Sequence, residues 1–131
     1  MSPIRTTLGV CAGAFLVLSS AAHSLLGWPE MAAALSKTNA PAELVRGLAI
    51  GWHFGGVAML VFGVLVLQLF LRARRDDSVS LGPALLIGGA YAAFGLGALA
   101  ISGLNPFYFV FIAPGAALVL ASLRKSSNRR R

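Results

Sequence analysis

Residues 47–71 read GLAIGWHFGGVAMLVFGVLVLQLFL, 25 residues without a charged side chain, closed by Arg46 on one side and Arg72 on the other. A helix rises 1.5 Å per residue and a bilayer's hydrocarbon core is about 30 Å thick, so this run can span a membrane with some tilt. Three further runs repeat the pattern. The first covers residues 6–27, between Arg5 and Trp28-Pro29. A third covers 83–102, with Ser80 as an N-cap and Pro83 in the first turn. A fourth, 107–123, holds 17 residues and is at the short limit for a span. Pro114 should kink it, because proline lacks the amide that Val110 would bond and its ring crowds that carbonyl. The fold expected is an all-α integral membrane bundle of four antiparallel transmembrane helices, forming a single domain over residues 1–131.

Composition agrees. Of 131 residues 57% are hydrophobic and 11% charged, and the mean hydropathy is +0.80. A soluble domain carries about 25% charged residues, and a chain this short buries too small a fraction of its surface to hide so much apolar area. A soluble enzyme and a disordered chain are both excluded on these grounds. The single cysteine, Cys11, leaves no intramolecular disulfide and no dithiol redox pair. Ser20-Ala21-Ala22 would serve as a cleavage site behind a basic start and an apolar run; the segment is read as retained, as the first span.

The net charge of +7 does not form a basic face for nucleic acid. Its residues flank the apolar runs. With both termini on one side, that side holds Arg5, Arg72, Arg74, Arg75, Arg124, Lys125, Arg129, Arg130 and Arg131, and the other holds Lys37 and Arg46. Nine against two over short loops predicts cytoplasmic termini in a plasma (inner) membrane protein. The basic tail, 124–131, would touch anionic headgroups. Residues 102–106 form a tight outer turn, so the third and fourth helices should be neighbours. In the longer outer connection Pro29 and Glu30 look like a helix start, and Met31 and Leu35 share a face. A short surface helix is expected there.

Glycines four apart, Gly9 with Gly13 and Gly51 with Gly55, and Gly88, Gly89, Gly95 and Gly97 on the third helix, allow close helix approach. Trp28, Trp52, Phe54, Phe107, Tyr108, Phe109 and Phe111 gather in the outer half. They suit an interfacial belt, or the walls of a pocket for a flat lipophilic molecule.

Ionisable groups inside a membrane are the first suspects for function. Glu30, Glu43, Asp76 and Asp77 all fall in connections, and no phosphate loop, zinc-protease helix or nucleophile elbow is present. No enzymatic activity is expected, and no proton-coupled export through an embedded carboxylate. Two histidines remain. His23 and His53 both lie roughly 6 to 9 Å below the outer interface by residue count, on helices joined by one connection. They are expected to face each other, in one of three roles. They bond serines and carbonyls to hold the helices; or, with Trp52, Ser20 and Tyr91, they bind a lipophilic headgroup; or they are the axial ligands of a b-type haem. Tyr91 and Gln68 are each expected to make one interhelical hydrogen bond. The function expected is that of a small non-enzymatic membrane protein, an accessory subunit of a larger complex or homo-oligomer, or a binder of a lipophilic small molecule in an outer-leaflet pocket. The alternative is a bis-histidine haem protein that moves electrons.

Overall fold

The computed structural model describes residues 1–123, so the basic tail at 124–131 lies outside the described residues. The chain is all-helical: α1 (Pro3–Ala22), a π-turn (His23–Gly27), α2 (Trp28–Ser36), α3 (Ala42–Ala73), α4 (Gly82–Ile101), a 3₁₀ turn (Pro106–Tyr108) and α5 (Phe109–Ser122). Caps and prolines set several of the starts. The Ser2 side chain accepts from the Arg5 backbone N–H ahead of α1, and Asn105 Oδ1 accepts from the Phe107 N–H at 3.0 Å ahead of the 3₁₀ turn. Pro3, Pro83 and Pro106 each occupy a first-turn position, where a missing N–H costs nothing. Left-handed residues turn the chain at Asn39 (φ 53°) and at Gly103–Leu104 (φ 68° and 65°).

Three helices are long and apolar enough to cross a membrane: Pro3–Ser36, Ala42–Ala73 and Gly82–Ile101, of 34, 32 and 20 residues. Pro106–Ser122 is a shorter apolar helix. It runs through Pro114 without ending, and Pro114 is buried in it. A helix does form over the first connection, as α2, but not as the separate element expected. Gly27 is itself helical (φ −69°, ψ −39°) and no side chain caps α2, so the first helix continues through the π-turn to Ser36.

The helices zip as two antiparallel pairs, α1 with α3 and α4 with α5. The pairs join where α1 packs against α5, and α3 and α4 barely touch although they are consecutive. Glycine makes both pairings close. A methyl group on Gly63 would stand 2.8 Å from the Val17 backbone nitrogen and 3.0 Å from the Gly13 carbonyl oxygen. One on Gly88 would stand 2.9 Å from the Gly115 carbonyl oxygen, with α5 backbone behind it.

The buried core, Ala12, Leu16, Val66, Phe70, Ala84, Ile87, Leu118 and Ala121, gathers towards the end of the molecule that holds the termini. Arg5 Nε ties α1 to α5 there, donating to the Ala121 carbonyl at 2.9 Å. In the connection beside it, Asp76 accepts hydrogen bonds from the Ser78 hydroxyl and backbone N–H, which hold its carboxyl below the ordinary value. Outward faces stay apolar: Leu18, Ile50, Leu86 and Ile101 are 68 to 90% exposed. Such a surface suits lipid and not water. Towards the opposite end, where the 37–41 and 102–108 connections lie, the two pairs leave space between them.

Candidate functional site

The space opens at the π-turn, and the local sequence accounts for the turn. Pro29 has no N–H, so an unbroken α-helix would leave the Leu25 carbonyl without a donor and crowd it. The wider i→i+5 turn over His23–Gly27 is seated just before that proline. Opposite it stands Trp52 of α3, and the two residues clasp. The Trp52 indole Nε1–H donates to the His23 carbonyl at 2.7 Å, and His23 Nε2 stands 3.0 Å from the Trp52 carbonyl. Their rings stack 4.4 Å apart and 3° from parallel.

The clasp sets the imidazole's protonation pattern. A carbonyl only accepts, so the proton on this contact belongs to His23 Nε2. In the neutral ring Nδ1 is then the acceptor. Glycines leave room for the pair. A methyl on Gly27 would meet Trp52 Cζ2 at 2.9 Å, and one on Gly55 would meet His23 Nε2 at 3.4 Å.

Beside the clasp lies a cavity of about 720 Å³. That falls within the size range of small-molecule sites. One wall is aromatic, with Tyr91 and Phe94 from α4 and Phe107, Tyr108 and Phe111 from the 3₁₀ turn and α5. These rings support one another: Phe94 meets Phe111 edge-on at 5.0 Å, and Tyr91 lies 6.1 Å from Phe111. The facing wall is Leu16, Ala22, Leu26, Met31, Trp52 and Met59. Polar groups are few, with Ser19, His23, the two tyrosines and Glu30 among the lining.

Of the five residues that the sequence suggested, the structure brings His23, Trp52 and Tyr91 to this cavity. Ser20 is buried and donates to the Val17 carbonyl at 2.8 Å within its own helix; Ser19 takes the place at the wall. His53 is exposed, off the cavity, with Trp28 5.9 Å away. The expected facing pair of histidines is therefore not formed. Successive helical residues point about 100° apart, so Trp52 faces inward where His53 does not. A bis-histidine haem site needs both imidazoles on one axis. Here one Nε2 is committed to a carbonyl and the other ring stands outside, so the two side chains do not fit that group. Among the described residues no three His, Cys, Asp or Glu side chains gather as a metal site. Gln68, also expected to bond across helices, is exposed.

The sequence reading missed Glu30, Met31, Met59 and Phe94. The signal for Met59 was present. Trp52, Gly56, Met59, Gly63, Val66, Phe70 and Ala73 recur at alternating four- and three-residue spacing, one helical stripe that omits His53. Glu30 required knowing that the first helix continues past Pro29. No protein-family model, curated protein or solved structure matches the chain.

Proposed function

We propose that this chain is a multi-pass plasma membrane protein that binds a lipophilic small molecule. In this reading α1 with α2, α3, α4 and α5 form four spans, both termini are cytoplasmic, and the cavity opens in the outer leaflet. The basic asymmetry of nine residues against two supports the orientation. The observation that carries the binding role is the cavity itself. It is about 720 Å³, walled by six aromatic rings, and faces one clasped histidine. The role requires no nucleophile or embedded acid–base pair, and it is read as binding without catalysis.

The test is retention. Protein purified in mild detergent should carry a lipophilic molecule near one per chain, found by mass spectrometry of the extract. Ala22→Phe places a ring in the cavity and should deplete that molecule. Leu86→Phe, on a face 75% exposed, should not. Identical extracts from the wild type and Ala22→Phe would remove the reading.

A further inference from the structure

We infer that the molecule taken by this cavity is a lipophilic cation, its charge seated at Glu30. The inference rests on the cavity reading above and adds the sign of the ligand's charge. The chain has eleven basic residues and four acidic ones. Among residues 1–123, the cavity wall includes Glu30 and no lysine or arginine. In a protein of net charge +7 this is the reverse of the overall balance. Lys37 and Arg46, the basic residues of the same end, are absent from the wall, and Glu30 forms no salt bridge among the described residues.

The remaining lining agrees in sign. Trp52, Tyr91, Tyr108 and the phenylalanines line the space, and an aromatic face carries the negative side of the ring quadrupole, which attracts cations. His23 adds no competing contact at Nε2, whose N–H donates to the Trp52 carbonyl. Glu30 is exposed and stands in the first turn of α2, at the loop end of the cavity. An amphiphilic cation would therefore seat its apolar body among the rings and keep its charge at the wetter rim. An anion would meet a carboxylate, with no lysine or arginine in the wall to offset it.

Equilibrium dialysis of the purified full-length protein with labelled tetraphenylphosphonium, tetraphenylborate and triphenylphosphine oxide separates the possibilities. The first two share size and shape and differ in sign, and the third is an uncharged aryl counterpart. The wild type should bind the cation saturably and at least about fivefold more tightly than the anion, the factor expected of one partly screened charge contact. Glu30→Gln should lose about that factor for the cation and leave the uncharged probe unchanged, and Glu30→Asp should keep the preference. Equal binding of the two ions, or an unaltered cation affinity in Glu30→Gln, overturns the assignment of charge. In those cases binding of triphenylphosphine oxide shows that the cavity reading survives. Failure of all three probes overturns the cavity reading itself.

Discussion

Gly88 and Gly89 are chemically identical neighbours on α4, and the structure assigns them opposite sensitivities. A Cβ on Gly88 would lie 2.7 Å from Leu118 Cβ, 2.9 Å from the Gly115 carbonyl oxygen and 3.0 Å from the Val119 nitrogen. Ordinary contact begins near 3.4 Å. Two of those three atoms are backbone, so no rotamer change relieves the overlap. α4 and α5 must separate along their whole length, and the contacts they lose extend to Gly95 against Ile112. Overpacking of this kind costs about 1–3 kcal/mol. A Cβ on Gly89 meets nothing within 4 Å, and alanine is the better helix former by up to about 1 kcal/mol. Gly88→Ala should therefore be destabilised and Gly89→Ala neutral or slightly stabilised, the two differing by about 2 kcal/mol. Reversible unfolding in mixed micelles, titrated with a denaturing detergent and followed by circular dichroism, measures both. Variants within about 0.5 kcal/mol of each other, the scatter of surface substitutions, would refute the close α4–α5 packing.

Three other outcomes follow from separate features. Trp52→Phe keeps an aromatic ring but removes the indole N–H that donates to the His23 carbonyl; the same unfolding assay should show a loss of about 1–2 kcal/mol, with faster amide exchange over residues 23–28. Ser122 is 6% exposed and its Oγ has no hydrogen-bond partner among the described residues, so Ser122→Ala should be stabilising by up to about 1 kcal/mol in that titration. A reporter fused after Arg131 should be active only in its cytoplasmic format, and activity of the exported format would reverse the orientation argued from the basic residues.

What the sequence revealed and what it concealed divide along a physical line. Hydropathy and length are additive along the chain, so the apolar runs at 6–27, 47–71 and 83–102 are visible without any tertiary information; the first two fall within observed long helices and the third matches Gly82–Ile101 to within one residue. Depth is nearly as accessible, because rise per residue is fixed. Facing is not fixed by depth. Counting residues placed His23 and His53 at one level but could not tell that the α3 stripe through Gly56 and Gly63 runs up to Trp52 and leaves His53 aside. Pro29 misled in a similar way. As a helix breaker it reads as a fresh start, yet Gly27 brought no capping side chain, and that missing cap was the available sign that the helix continues. The π-turn before Pro29 has a local cause, but its clasp with Trp52, 29 residues on from His23, is a contact that local pattern does not encode. Glu30 was assigned to the start of a separate helix in the outer connection for the same reason, and so its place at the cavity was not legible.

Photoaffinity labelling tests the central claim most directly. A hydrophobic aryl diazirine equilibrated with the protein in bilayers, then photolysed and mapped by peptide mass spectrometry, reports where a lipophile resides. Saturable labelling should concentrate on the cavity wall, at Met31, Met59, Tyr91 and Tyr108, and fall in Ala22→Phe. Labelling that rises without saturation and spreads over the outward-facing Leu18, Ile50, Leu86 and Ile101, with the wall unmarked, would contradict a binding site between the helix pairs.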